Sequence, residues 1–216
     1  MHMELLKNNK YKLNDLRYNF GYYDIPNSFL KGVAVDIGSN NGSFLEKYKN
    51  NFLSIHAYEP NIFLVNLLKN KYNDQSNIKI FNEAVDKNCN NIVKLIKHKH
   101  TNDDGSFAIL NSYEINEWDE NEIICECRTV DFNKIVQRAG GFINVLKIDC
   151  ETSEYNLLMN NDLSNIELII IEIHHQLGEK RYYELINFIS QTHNVEKKQY
   201  QIGCNHEFTF INKNFQ

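Results

Sequence analysis

One short segment constrains the fold of this chain more than any other, because a buried-strand pattern runs directly into a glycine-bracketed turn. Residues 33–37 form an apolar run with β-branched bias, interrupted by one charge, and this is typical of a parallel strand covered on both faces. Glycines bracket the turn, and a helical pattern follows that would direct free N–H groups at a ligand. The segment therefore predicts a nucleotide-type cofactor loop made of Asp36, Gly38, Ser39, Asn40, Asn41 and Gly42.

The loop does not match the dinucleotide pattern G-x-G-x-x-G in any register, so NAD is disfavoured. Asp36 would repel a pyrophosphate but suits a cofactor that carries an ammonium group, such as S-adenosylmethionine. A second acidic residue, Glu59, follows the next predicted strand and precedes Pro60. A carboxylate about 20 residues past the glycine loop is placed to accept hydrogen bonds from the hydroxyls of a ribose.

Bulk properties bound the class of protein. A chain of 216 residues with 42% hydrophobic and 24% charged residues is typical of one globular domain, expected here at 33–216 after a partly helical N-terminal preamble at 1–32. No apolar run approaches the roughly 18 residues of a membrane span, and five cysteines without C-x-x-C suit a reducing compartment. We expect a cytoplasmic protein. The net charge of −5 does not favour nucleic acid as a partner.

Strand and helix patterns then alternate along the chain, which indicates an α/β fold with a doubly wound sheet. A strand over residues 77–85 would bring Glu83 and Ala84 to the adenine end of a cofactor, and residues 92–98, 106–110 and 122–130 are predicted as extra strands on the substrate side. Further on, charged residues end two buried strands, at the sheet edge where doubly wound folds bind ligands. These residues are Asp149, Glu151, Glu172 and His174.

Together these motifs resemble the FkbM-type methyltransferases over residues 33–175. The resemblance is carried by residues 36–42, 58–60, 82–85, 147–154 and 171–174, in this order and spacing. It implies a class I methyltransferase (Rossmann-like) fold with a doubly wound sheet of about seven strands, the last antiparallel, and helices on both faces. It also implies S-adenosylmethionine as cofactor and O-methyl transfer to a hydroxyl of a sugar, glycan or other small molecule.

By the same resemblance, the loop Asp36 to Gly42 would hold the methionine part, Glu59 the ribose and Glu83 with Ala84 the adenine side, while Asp149 would stand near the methyl group. One position departs from the family pattern Asp-x-Glu-Gly-x-Glu, since Thr152 occupies the glycine place. A β-branched residue is poor at positive φ, so either the turn differs or Thr152 caps the next helix.

Methyl transfer to a hydroxyl requires a base, and the predicted edge offers several. We expect Asp149 and His174 to act as base, with Glu151 and Glu172 as supports. A divalent metal held by Asp149, Glu172 and His174 suits these side chains but is not favoured. Two alternatives stay open, namely an RNA ribose methyltransferase and a non-catalytic S-adenosylmethionine-binding module.

Overall fold

The computed structural model describes residues 24–98, 108–109, 121–200 and 206–215. The strands in chain order are β1 (Val33–Ile37), β2 (Ser54–Tyr58), β3 (Ile78–Phe81), β4 (Glu83–Val85), β5 (Ile92–His98), β6 (Ala108–Ile109), β7 (Asn121–Val130), β8 (Ile143–Ile148), β9 (Ile166–Ile173), β10 (His193–Tyr200) and β11 (His206–Asn212). The α-helices are α1 (Ser43–Tyr48), α2 (Ile62–Lys71), α3 (Phe132–Arg138), α4 (Glu154–Leu158) and α5 (Gly178–Thr192).

Seven strands form the main sheet in the order β10-β11-β9-β8-β1-β2-β3. In this sheet β3, β2, β1, β8 and β9 pair in parallel, each with the next. β11 pairs antiparallel with both β9 and β10. The prediction of a doubly wound sheet of about seven strands, with the last antiparallel, is confirmed.

Apolar side chains of the central strands divide between two faces of this sheet, as strand alternation requires. Ala34 and Val145 pack with the buried faces of α1 and α2, whereas Val35 and Leu146 pack with those of α3, α4 and α5. Both faces are therefore covered by helices, which explains why the central strands read as nearly continuous apolar runs.

Asn61 and Asp131 stand directly before helical patterns and have side chains that favour N-caps, so the sequence predicts a helix start at each, and both are confirmed. The side chain of Asn61 accepts a hydrogen bond from the N–H of Phe63 at 3.0 Å, and that of Asp131 accepts one from the N–H of Lys134 at 2.7 Å. Such caps satisfy N–H groups that have no partner within the helix. Helical spacing also predicts that Ile62 shares the buried face of α2 with Val65 and Leu68, and this prediction is wrong, because Ile62 is exposed.

The strand predicted over residues 77–85 is wrong in one respect, because the chain bends at Asn82 and forms two strands. β3 joins the main sheet, while β4 joins a second sheet with the order β4-β7-β5-β6. The amide of Asn82 donates to the carbonyl of Glu59 at 3.2 Å and to that of Pro60 at 2.8 Å. These bonds fix the bend against the end of β2.

Part of the predicted N-terminal preamble lies within the described residues. Ile25 and Phe29 are buried against the core formed by α1 and α2, and the N–H of Ile25 donates to the hydroxyl of Tyr48 at 3.2 Å. The described end of the preamble thus packs on the domain. Its aromatic residues before position 24 lie outside the described residues. Within the described part of the chain, no helix is both long and apolar enough to cross a membrane.

Candidate functional site

The carboxyl ends of β1, β2, β8 and β9 meet along one edge of the main sheet. Because these strands are parallel and in register, the residues that follow them surround one cleft with about 220 Å³ of open space. Nine predicted site residues line it: Gly38, Asn40, Glu59, Pro60, Glu83, Ala84, Asp149, Glu151 and Glu172. The structure therefore brings these nine residues together at one cleft, with Glu83 and Ala84 contributed by β4 of the second sheet.

The glycines of the loop serve packing more directly than ligand approach. Gly38 has φ 73°, and a Cβ atom there would overlap the carbonyl oxygen of Asp149. Gly42 has φ 82°, and a Cβ atom would come within 2.6 Å of the side chain of Leu68 on α2. Both positions need glycine because the backbone is left-handed and the neighbouring segments are close.

Glu59 ties the glycine loop to the start of α2. Its two carboxylate oxygens accept hydrogen bonds from the N–H groups of Asn40 and Asn61, each at 2.8 Å. Burial raises the pKa of Glu59 by more than these two hydrogen bonds lower it, so the net shift is upward. Each carboxylate oxygen has a second lone pair. A carboxylate fixed in this way at the cleft wall is preorganised to accept a further hydrogen bond from a ligand.

Asp36 lies beneath the cleft instead of on its wall. Its carboxylate is completely buried and faces the ammonium group of Lys147 on the adjacent strand, with Nζ 3.3 Å from Oδ1. The same Nζ donates to the carbonyl of Gly38 at 2.8 Å and lies 3.8 Å from Oδ2 of Asp149. The predicted direct contact between Asp36 and a cofactor ammonium group is not what this geometry provides, because Lys147 already supplies the positive charge.

Three other loop residues are not among those that line the cleft, and each makes a hydrogen bond within the protein. The hydroxyl of Ser39 donates to the carbonyl of Asp36 at 3.1 Å, and the side chain of Asn41 accepts from Ser43 at 2.6 Å. The carbonyl of Gly42 accepts from the hydroxyl of Tyr72 at 3.1 Å. These residues shape the loop, whereas Gly38 and Asn40 form the part that faces the open space.

The predicted adenine side contains an ion pair that the sequence did not indicate. Both terminal nitrogens of Arg138 contact the carboxylate of Glu83, with Nη2 3.0 Å from Oε1, and the guanidinium lies 4.6 Å from the ring centre of Phe81. Arg138 thereby balances the charge of Glu83. Ala84 and Val85 continue this wall as apolar surface.

The far end of the cleft is acidic. Asp149, Glu151 and Glu172 line it, and one ligand atom each from Asp149, Glu172 and His174 lie within 4.8 Å of one another. Such a set has donor atoms that could hold a divalent ion. None of the cleft-lining residues that the structure describes is a lysine, arginine or histidine.

His174 lies behind this acidic wall and is 1% exposed. Its Nδ1 atom is 2.8 Å from Oε1 of Glu154, and its Nε2 atom is 3.2 Å from Oε2 of Glu151 and 3.8 Å from Oε1 of Glu172. Burial alone would lower the pKa of His174, but Glu154 and Glu151 outweigh it and hold this pKa well above its ordinary value. An imidazole that is already protonated cannot accept a further proton, so this geometry argues against His174 as the base.

The turn that carries Glu151 overturns both expectations for Thr152. This residue keeps the left-handed conformation that suits glycine, with φ 81°, and the N-cap position of α4 is Ser153. Thr152 therefore does not avoid positive φ, and it does not cap the helix. A β-branched residue with this φ is strained.

Several lining residues were missed by sequence reasoning. Leu95 and Ile109 reach the cleft from two of the predicted extra strands, but no local pattern singles out these two residues, because their position depends on how the two sheets meet. Cys150 follows Asp149 directly and also lines the cleft. Burial and nearby carboxylates raise the pKa of Cys150 well above its ordinary value, so the thiol stays protonated and is not an activated nucleophile.

Comparison with known families assigns the chain. The model of the methyltransferase FkbM domain matches residues 36–208, a range that includes every described residue lining the cleft. The chain belongs to this family. No curated protein matches the chain.

Solved structures support the fold. A methyltransferase FkbM from Methylobacillus flagellatus KT has a TM-score of 0.52 and 13% identity, over 84% of this chain and 44% of that one. An Aeropyrum pernix fibrillarin in complex with natively bound S-adenosyl-L-methionine has a TM-score of 0.51 and 9% identity, over 88% of this chain and 70% of that one. The Methanococcus jannaschii fibrillarin pre-rRNA processing protein has a TM-score of 0.52 and 10% identity, over 89% and 71%. The chain thus spans less than half the length of the first of these, and at such identities the likeness concerns the class I methyltransferase fold.

Proposed function

We propose that this FkbM-family protein is an S-adenosylmethionine-dependent O-methyltransferase whose acceptor is a hydroxyl of a sugar, glycan or other small molecule. The observation that carries this proposal is the position of Glu59, whose carboxylate is fixed by two backbone N–H groups at the wall of an edge cleft. That position suits the two hydroxyls of a ribose. The acidic residues at the opposite end suit acid-base chemistry on a hydroxyl.

The described residues of the cleft fit this cofactor. Glu59 would hold the ribose, the backbone at Gly38 and Asn40 would face the methionine part, and Ala84, with apolar neighbours, would cover the adenine. A sulfonium donor supplies an activated methyl group and leaves as the neutral thioether S-adenosylhomocysteine. Carboxylates at the wall would favour the positively charged donor over this neutral product.

Within this proposal Asp149 is the base. It follows β8 at the cleft, and it would take the proton of the acceptor hydroxyl as the oxygen–carbon bond forms and the sulfur–carbon bond breaks. Glu172 and Glu151 would hold the acceptor by hydrogen bonds. His174 would supply a fixed positive charge behind them, which differs from its predicted role as base.

An RNA methyltransferase would be expected to have basic residues on the wall of the cleft. A ribose within RNA brings phosphates, and proteins that bind RNA contact these with lysine and arginine. The described residues that line this cleft include five acidic side chains and no basic one, which favours an acceptor without phosphate.

The test is a methyl-transfer assay with the full chain, S-adenosylmethionine and two acceptor panels, one of uncharged sugars and polyols and one of RNA. We expect release of S-adenosylhomocysteine and a methyl-group mass increase with a member of the first panel. Asp149→Asn should lower kcat by about 10²-fold or more, because the base is lost. Asp162→Asn, a matched change at an exposed acid far from the cleft, should leave kcat unchanged. Methylation of RNA alone would select the alternative.

A further inference from the structure

The turn that presents Glu151 to the cleft is held in an unfavourable backbone conformation. Glu151 has φ 47° and Thr152 has φ 81°, so two consecutive non-glycine residues are left-handed. Such residues persist only where surrounding contacts hold them in place. The contacts that hold this turn therefore also determine where the Glu151 carboxylate lies.

One buried carboxylate oxygen supplies two of these contacts. Oε1 of Glu154 accepts hydrogen bonds from the N–H groups of Thr152 at 3.2 Å and Cys150 at 3.4 Å, and the Nδ1 atom of His174 donates to it at 2.8 Å. The side chain of Glu154 is completely buried and does not line the cleft. Glu154 thus connects the turn after β8 to the residue that follows β9.

The imidazole of His174 extends this connection to the cleft wall. Its Nε2 atom lies 3.2 Å from Glu151, whose side chain is 30% exposed, and 3.8 Å from Glu172, whose side chain is 14% exposed. The groups that face the ring are therefore Glu154 from α4, Glu151 from the turn and Glu172 from β9, with Asp149 nearby. With one nitrogen held by Glu154, the other nitrogen is directed at the carboxylates on the cleft wall.

We propose that Glu154 is a positioning residue for the candidate active site, because it orients the imidazole of His174 and holds the strained turn so that Glu151 keeps its place at the cleft. This inference rests on the proposed function, since Glu151 is one of the groups that would contact the acceptor. Glu154 touches neither cofactor nor acceptor. It acts through His174 and through the backbone of the turn.

The first test compares Glu154→Gln with Glu167→Gln. Glu167 is a matched control because it is also a buried acid, 5% exposed, but it contacts Asn144 and Lys31 away from the cleft. Long-range ¹H–¹⁵N NMR would follow the titration of the His174 imidazole, assigned by the signals lost in His174→Gln. Glu154→Gln should lower the proton affinity of His174 by about tenfold or more, whereas Glu167→Gln should leave it unchanged.

Kinetics provide the second measure. Glu154→Gln should lower kcat for methyl transfer by about tenfold and keep the KM for S-adenosylmethionine within about twofold, because the residue acts on the acceptor side. Glu167→Gln should change neither constant. An equal loss of kcat in both variants would show that Glu154 contributes only to the general stability of the fold, and would overturn the proposal.

Two further experiments test the proposal even if Glu154→Gln does not fold. If Glu154→Gln does not fold, Glu151→Gln at the partly exposed wall should still lower the proton affinity of His174, because it removes the partner of Nε2. An unchanged titration in that variant would contradict the arrangement. Titration with Mn²⁺ gives the third result, since micromolar binding that is lost in His174→Gln but kept in Glu167→Gln would show that His174 is a metal ligand and overturn the proposal. If the wild type binds no S-adenosylmethionine, the proposed function fails, while the NMR titration still decides the role of Glu154.

Discussion

The carbonyl oxygen of Asp149 occupies the space into which a side chain at Gly38 would project. The two residues follow neighbouring parallel strands, β1 and β8, and the N–H of Asp149 donates to the carbonyl of Ile37 at 3.1 Å. The predicted cofactor loop and the candidate base are therefore in direct contact through their backbones. A substitution at either position should therefore disturb the backbone at the other.

Replacing this glycine tests that contact. Gly38→Ala should lower the free energy of unfolding by about 3 kcal/mol or more, because it adds left-handed strain and overlap with a backbone atom. Gly141→Ala is the control, since Gly141 also has positive φ, 89°, but has nothing within 4 Å of an added Cβ. That variant should lose only about 1 kcal/mol. Chemical denaturation measures both, and equal losses would contradict the close approach of Gly38 to Asp149.

The left-handed threonine gives the opposite prediction. Thr152→Gly should raise the free energy of unfolding by about 1 kcal/mol, because glycine adopts φ 81° without strain. Thr152→Ala keeps a Cβ atom at the strained position and should not be stabilised. Thermal and chemical denaturation would compare the two variants with the wild type. A less stable Thr152→Gly protein would show that side-chain packing outweighs the backbone strain.

A buried histidine should make stability depend on pH. Burial lowers the pKa of His56 to about 4, with Lys79 and Arg138 adding to the effect, and the ordinary value is 6.5. Between these values the unfolded chain binds the proton and the folded protein does not. Stability therefore falls as the pH drops from 6.5 towards 4, by about 2 kcal/mol from this group.

The change that isolates this contribution is His56→Leu, because leucine cannot titrate. The variant should lose about 2 kcal/mol less than the wild type between pH 7 and about pH 4.5, measured by urea denaturation. His193 provides the internal reference, since burial also lowers its pKa to about 4 and the variant retains it. Parallel pH profiles for the two proteins would contradict the assignment to His56.

Much of the fold follows from local sequence patterns, for clear physical reasons. The runs in β1, β8 and β9 are long, apolar and bounded by turn or charged residues, so their positions as central strands are determined locally. The convergence of Glu59, Asp149 and Glu172 also follows, because the carboxyl ends of parallel strands share one edge. Asn61 and Asp131 were recognisable as caps from residue type and spacing alone.

Other features depend on contacts between segments far apart in the chain. Lys147 faces Asp36 because β1 and β8 pair in one particular register, and periodicity within either strand does not indicate that register. The bend at Asn82 and the arrival of Leu95 at the cleft depend on the second sheet. Glu154 belonged to a recognised motif, but its role depends on His174, which follows another strand.

The most direct test of the account is the binding of S-adenosylmethionine, measured by calorimetry with folded, cofactor-free wild type, Glu59→Gln and Asn82→Ala. The wild type should bind with micromolar affinity, and Glu59→Gln should lose about tenfold or more, because a charged hydrogen-bond acceptor for the ribose is removed. Asn82→Ala removes the hydrogen bonds to the carbonyls of Glu59 and Pro60 but keeps the Glu59 carboxylate. Its affinity for S-adenosylmethionine should therefore stay within about threefold of the wild type. No binding by the wild type, or equal losses in the two variants, would contradict the assignment of this cleft as the cofactor site.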